Sequence, residues 1–418
     1  MLLRVEIFDE KRDFLLYGAF LLLLLMLSLG REYYHYHQLK AKPTAIIKAT
    51  VLNEYLKTTS KKSYKVIKLK SNNGALFYTT ASKRFRSVKN SEVLLKIWTK
   101  NLDFLSYLKG FYVHSYFLKS TPLNSNKERL STLLHSLHSN ETIARIYDAL
   151  FLAKPLSFEL YNRFGALGIS HLFAISGFHL GILSAVLFFL LYHLYKPLHT
   201  HYLPYRHIKR DIFFVVAAIL LGYLLFLDSP PSLLRAYAML LIGFILYDRG
   251  VKILSMQTLF IATTLLLALF PRLFFSLGFW LSVSGVYYIM LFFIHFKELK
   301  TWQQFLLVPL WVYMMMLPFS LYIFHTFSLY HPLSVIITEL FTIFYPLSLF
   351  LHIVGFGSLL DPLLDGILHL DLHPYSITLP KWLFYGFVLL SLLASRYKKV
   401  LYLLVVIAVA ILIYAIIS

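Results

Sequence analysis

Residues able to do chemistry gather in one apolar segment. Leu167–Leu183 reads LGISHLFAISGFHLGIL. Ser176 and His179 are three apart, which sets a nucleophile and a base on one helix face. Such a pair needs a third, orienting group. No Asp or Glu occurs between Glu159 and Asp211. His171 and His179 are eight apart without an acidic ligand, unlike a metal-binding H-E-x-x-H helix. The chain has no cysteine, which removes thiolate ligands, disulfides and thiol nucleophiles. It has no Gly-Lys pair, and so no G-x-x-x-x-G-K-[ST] loop to power movement with a nucleotide. The expectation is neither an enzyme nor a protein with a metal or other cofactor. Gly177 and Gly181, four apart, let helices approach closely. Polar groups at membrane depth face a bundle interior or a wet cavity. Helix packing and pore lining both remain open for His171, Ser176, Gly177, His179 and Gly181.

The elements around this segment must be membrane-spanning. Of 418 residues, 58% are hydrophobic and 14% are charged, against roughly 25% charged in soluble domains. This excludes an ordinary soluble domain and a disordered chain. A bilayer core takes about 20 apolar residues per helix. The first span is expected near Phe14–Gly30. Its flank Asp9-Glu10-Lys11-Arg12-Asp13 is not the basic head of a secretory signal, so an uncleaved anchor is expected. Further spans are expected near 167–195, 212–227, 233–247, 253–270, 273–295, 305–325, 382–394 and 400–417. The stretch 330–357, with Pro346, Gly355 and Gly357, is expected to enter and return on one side as a re-entrant or broken hairpin.

Charge gives an orientation. Loops 196–211, 248–252, 297–300 and 395–399 carry 11 Lys/Arg, and the intervening loops carry 2. Basic short loops face the cytoplasm. The N-terminus is then cytoplasmic and residues 31–166 are extracytoplasmic. That block holds 23 Lys/Arg against 8 Asp/Glu, within a formal net charge of +20 for the chain. Such a balance suits an anionic partner, whether lipid or nucleic acid.

Within the block, 45–52, 63–70, 75–80 and 93–99 read as short strands, with a turn at Asn72-Asn73-Gly74. Alternation of apolar and basic residues in Ser63–Lys70 predicts one lysine face and one core face. A small OB-like barrel is expected. Its candidate contacts to single-stranded DNA are the cations Lys61, Lys62, Lys65, Lys68, Lys70, Lys83, Arg84, Arg86 and Lys89. Tyr64, Phe77, Tyr78, Phe85 and Trp98 are candidate stacking platforms. A structural domain with a solvated basic face fits the same residues. Two amphipathic helices are expected at 128–137 and 143–152, on the outer surface or at the interface.

Arg235 follows the turn Asp228–Ser232 just inside a helix N-terminus, where a cation is unfavourable. Snorkelling, an acidic partner or a passing phosphate would each account for it. Glu339, the one acid within 330–357, is expected to pair with Arg235 or a histidine in a structural or gating role. Leu359–Leu372 reads as an interfacial amphipathic helix with Asp361, Asp365 and Asp371 solvated.

HLFAISGFHLGIL resembles the signature of the ComEC-type competence proteins, the inner-membrane DNA-uptake channels of natural transformation. Downstream, DSPPSLLRAYAML (Asp228–Leu240, with Pro231, Ser232 and Arg235) is similar to the family's short loop and S-x-x-R-A helix start. PRLFFSLGFWLSVS (Pro271–Ser284, with Gly278, Phe279 and Ser282) and FSLYHP (Phe327–Pro332) also resemble family patterns. The resemblance implies a polytopic α-helical membrane protein of about 9–10 segments plus the hairpin, with a β (OB-like) domain outside the membrane. The implied order is an anchor in 1–30, the basic domain in 31–120, a helical connector in 121–166 and the channel domain in 167–418, its interfacial segment near 358–382. It implies a DNA internalisation channel in the bacterial cytoplasmic membrane. Implied partners are single-stranded DNA, membrane lipids, a periplasmic DNA receptor, cytoplasmic DNA-handling proteins or a motor, and a second copy as a homodimer. The H-x-H-x-D-H cluster of the nuclease-like domain in longer members has no match, so a short form lacking that metallo-β-lactamase-like domain is expected. Ala153-Lys154 stands where the family has Gly-Asp. A solute transporter and a scaffold of the uptake apparatus without a pore are the alternatives.

Overall fold

The computed structural model describes residues 11–58, 62–89, 91–122, 126–173, 175–248 and 255–417. Its described residues divide into two compact units: those from 11 to 130 together with Thr263–Leu277, and those in 131–262 with those from 278 onward.

The first unit begins with α1 (Lys11–Lys40). Its middle is leucine on every side, with Leu15, Leu22 and Leu27 each more than half exposed. A helix apolar all round has no polar face to offer water. After α1 come β1 (Thr44–Thr58), β2 (Ser63–Ser71), β3 (Leu76–Ser82), β4 (Ser91–Trp98), α2 (Phe104–Lys109), β5 (Phe111–Tyr112) and β6 (Ser115–Pro122). The four expected strands form with the expected turn, where Gly74 takes φ +76 and donates to the Ser71 carbonyl at 2.8 Å. The sheet order is β5-β3-β2-β1-β4-β6. β5 pairs in parallel with β3, and β6 pairs antiparallel with β4. Only Val113 and His114 separate β5 from β6, so one bent segment lies on both edges and closes the sheet on itself. Closure removes the free edges that would invite aggregation. Inside lie Val51, Ile67, Leu69, Phe77, Val93, Leu95, Ile97 and Phe111, all at most 5% exposed.

The second unit is helical. The elements leading into and through it are α3 (Asn126–Ser136), α4 (Glu141–Leu152), α5 (Phe158–Ala166), α6 (Ser170–Phe173), α7 (Gly177–Tyr202), α8 (Ile208–Phe226), α9 (Pro231–Asp248) and α10 (Met256–Leu269), the last running on into the first unit. Then follow α11 (Leu277–His295), α12 (Thr301–Phe324), β7 (Thr326–Phe327), α13 (Ser334–Ile353), α14 (Asp361–Leu368), β8 (Tyr375–Ser376), α15 (Lys381–Ala394) and α16 (Lys398–Ile417). Six stretches among the described residues are long and apolar enough to cross a membrane: Arg12–Lys40, Gly177–Tyr202, Leu277–His295, Thr301–Phe324, His331–Ile353 and Lys398–Ile417. Three shorter apolar helices accompany them. α8 carries Lys209, Arg210 and Asp211 in its first turn.

The expected hairpin in 330–357 is corrected. α13 runs unbroken for 20 residues with Pro346 inside it. Proline removes one donor, but an apolar helix packed against neighbours tolerates this where a solvated one does not. The turn comes later, at Gly355, with φ +87. As a helix, the stretch His331–Ile353 has the length and apolarity of a span.

Candidate functional site

The expected single span 167–195 is interrupted. α6 ends at Phe173 and α7 starts at Gly177. Ser176 is the N-cap, its Oγ accepting the Phe178 N–H at 3.3 Å. His179 Nδ1 accepts the Ser176 N–H at 3.2 Å, completing a reciprocal capping pair. The Ser-His spacing therefore serves to begin a helix. With Nδ1 as the acceptor, Nε2 carries the proton, and it lies buried with no hydrogen-bond partner in good geometry among the described residues. The ring is 1% exposed and meets the edges of Tyr345 at 4.7 Å and Phe341 at 5.3 Å.

The loop after α8 reaches the same place. Asp228 and Ser229 both hold positive φ, +62 and +52, and α9 starts at Pro231, where proline is favoured. Ser232 Oγ donates to the Ile175 carbonyl at 2.7 Å, tying the start of α9 to the break before α7. A Cβ built on Gly177 would sit 3.2 Å from the Ala236 Cβ, so glycine permits this approach. Among the described residues nothing lies within 4 Å of such a Cβ on Gly181. Two helix N-termini thus converge, each presenting N–H groups and a partial positive charge.

Arg235 lies one turn into α9 and is 5% exposed. Its guanidinium stands over the Phe279 ring at 5.6 Å. Among the described residues it has no carboxylate partner, and the expected pairing with Glu339 does not form. Glu339 is half-buried on α13. Of the α11 motif, Phe279 is fully buried under Arg235, Ser282 is half-buried, and Gly278 has open space at its Cβ position.

His171 stands on α6 with its side chain exposed. His331 was not singled out by spacing. Its ring lies on Gly168, where a Cβ would come within 2.8 Å, and Gly168 holds φ +70. Both conditions require glycine there. His331 also stacks on Phe327 at 5.1 Å, and Tyr313 OH lies 3.2 Å from its Nδ1.

In the barrel, the basic candidates separate by strand parity. Lys68 pairs with Tyr78 across β2 and β3, and its Nζ lies over that ring at 5.7 Å. Tyr64, Lys68 and Lys70 share the outward face of β2, and Lys62, Lys83, Arg84, Arg86 and Lys89 are exposed. Two candidates are corrected. Lys65 points the other way, because Nζ is 2.8 Å from the Glu54 carboxylate and donates to the Phe85 carbonyl at 2.8 Å. Phe77 is fully buried against Phe111 and is not a platform. Phe85 is half-buried on Phe117 at 4.7 Å. Lys61 lies outside the described residues. The outward face also carries Tyr55 and Tyr112, 42% and 51% exposed, which no linear pattern marked. Burial pushes the Glu54 carboxyl up, but Lys65 and the N–H of Val88 outweigh it and hold the group below its usual range.

A multi-helix apolar protein with a closed barrel and a motif-built helix junction is the class defined here. The chain belongs to the competence protein family, whose model matches residues 153–418. It is also similar to ComE operon protein 3 of Bacillus subtilis (strain 168), 31% identical over 175 residues that make up 41% of this chain and 21% of that protein. The matched region thus spans about a fifth of that relative's length. No solved structure matches.

Proposed function

We propose that this protein moves single-stranded DNA inward across the bacterial cytoplasmic membrane during natural transformation. The observation that carries the reading is Arg235: a buried guanidinium without an acidic partner among the described residues, set where the starts of α7 and α9 meet. A buried charge left unpaired is costly. A passing phosphate would supply the missing charge, and helix N-termini favour anions.

The barrel supports the same reading. We read it as OB-like, since β1 lies beside β2 and β4 while the β5–β6 segment pairs with β3 through β5 and with β4 through β6. Its outer face interleaves lysines with tyrosines, which suits a strand gathered by charge and stacking. In this reading the N-terminus is cytoplasmic, the barrel is extracytoplasmic, and a periplasmic receptor delivers the strand. Cytoplasmic proteins or a motor draw it in, and a homodimer is compatible.

The test is a strain lacking this protein, given fluorescent double-stranded DNA. Periplasmic uptake, cytoplasmic entry and transformant yield are scored separately. Loss of the last two with uptake retained supports the inner-membrane step. Wild-type levels of all three overturn it.

A further inference from the structure

A second polar cluster lies in the helical unit, apart from the α7–α9 junction. His138, in the turn after α3, has a fully buried side chain. Its Nδ1 is 2.9 Å from both carboxylate oxygens of Asp361, the first residue of α14. Its Nε2 is 3.0 Å from Nε2 of His352, near the end of α13. His352 Nδ1 is 2.6 Å from the Ser348 carbonyl.

Counting donors fixes the proton content. The Ser348 carbonyl only accepts, so His352 Nδ1 carries hydrogen. One hydrogen must lie between the two facing Nε2 atoms, and one between His138 Nδ1 and Asp361. That makes three hydrogens. A carboxylate with two neutral imidazoles holds only two. Protonation of His138, His352 or Asp361 each satisfies all three contacts, so the additional proton belongs to the cluster as a whole. Without it, two lone pairs face each other in a buried site.

We propose that Asp361, His138 and His352 form a proton-binding site that clasps the α3–α4 turn to the α13–α14 turn, closing when protonated and loosening as pH rises. Among the described residues, the titratable groups against His138 are Asp361 from α14, His352 from α13 and Tyr147 from α4, whose ring stacks on it at 4.6 Å. Among the charged groups on α4 and α14, Asp148 is engaged by Ser131, His135 and Lys154, and Asp365 by His369. Gly357 makes room for the clasp, since a Cβ there would come within 2.8 Å of the His352 ring. The sign follows from the extra proton. The closed geometry needs that proton to fill its three contacts, so the clasp is complete when the proton is present, at low pH, and is lost when it leaves as pH rises. This inference does not depend on DNA being the cargo.

Hydrogen exchange of the full chain in lipid nanodiscs tests it, on peptides covering 126–152 and 345–370 between about pH 5 and 9. After correction for intrinsic exchange, protection in these peptides is expected to fall at least about tenfold as pH rises, the effect of one pKa unit. Asp361→Asn is the decisive variant. Its amide donates to His138 Nδ1 and replaces the extra proton, so protection stays high and becomes independent of pH. Flat protection in the wild type overturns the proposal, and so does an Asp361→Asn profile that still falls like the wild type. If that variant does not fold, the wild-type profile alone decides.

Discussion

Arg272 Nη2 lies 2.6 Å from Glu32 Oε2 and donates to the Tyr107 hydroxyl at 3.0 Å, so one guanidinium joins the end of α1, helix α2 and the turn after α10. Its plane also stands over the Tyr107 ring at 5.0 Å. Residues 240 positions apart are thereby held in one unit. Arg272 belongs to the Pro271–Ser284 motif, whose marked positions are Gly278, Phe279 and Ser282 and not the arginine. Breaking a mostly buried pair from one side costs about 3–5 kcal/mol. Arg272→Met and Glu32→Leu should each lower the unfolding midpoint strongly. The double variant should lose less than the two single losses combined. Additive losses in thermal unfolding would show that the pair is not coupled.

At Arg235, charge and shape separate. Arg235→Gln should leave the purified protein folded, because it relieves a buried charge with no acidic partner among the described residues. Transformant yield should fall by at least about tenfold, the value of a lost charged hydrogen bond. Arg235→Lys keeps the charge but not the planar stack on Phe279, and should be intermediate. A wild-type yield from the Gln variant would remove this residue from any strand path.

Lysines on opposite faces of β2 should behave differently. Lys68→Gln and Lys70→Gln should weaken binding of single-stranded DNA. Each should flatten the slope of log affinity against log salt by about 0.7 if it meets a phosphate. Lys65→Met should instead destabilise the barrel, since it strands the buried Glu54 carboxylate. The depressed pKa of Glu54 gives a sign as well. The Lys65–Glu54 contribution is present at neutral pH and is lost as pH falls through the folded pKa. An acid unfolding profile unaltered by Lys65→Met would contradict this.

Two left-handed positions should respond in opposite ways. Gly168→Ala puts a Cβ against His331 at φ +70, and the backbone alone costs about 1–2 kcal/mol. His331→Ala should relieve the clash but not the backbone strain. Ala153, by contrast, caps α4 at φ +54. Ala153→Gly should therefore stabilise, by about 1 kcal/mol or less after the entropy cost of glycine. Lys154 beside it is not an orphan of the missing Gly-Asp pair, because its Nζ donates to Ser131 Oγ at 2.6 Å. Denaturant titrations of the three variants read these effects.

Much of the architecture was legible because it rests on local rules. Apolar length marks helices for lipid, and the alternation in Ser63–Lys70 with Asn72-Asn73-Gly74 marks β2, its turn and β3. The motif positions Ser176, Ser232 and Arg235 were legible as positions. Their meeting was not, since the hydrogen bond from Ser232 to Ile175 spans 57 residues. Asp361 was expected in solvent on an amphipathic face, but its partner His138 is 223 residues away. Lys65 looked like its neighbours until the bulge between Val51 and Asn53 set Glu54 opposite Ile67, beside it.

By itself, the sequence determined which segments avoid water, where the positive charge concentrates and which short motifs recur in order, because hydropathy, charge and turn chemistry act over a few residues. Only the tertiary structure decided that 330–357 holds one helix through Pro346, that Lys65 and Phe77 face the core, and that His138, His352 and Asp361 meet in one cluster. Those outcomes depend on what packs against each residue, and long-range contacts leave no periodic trace in the chain.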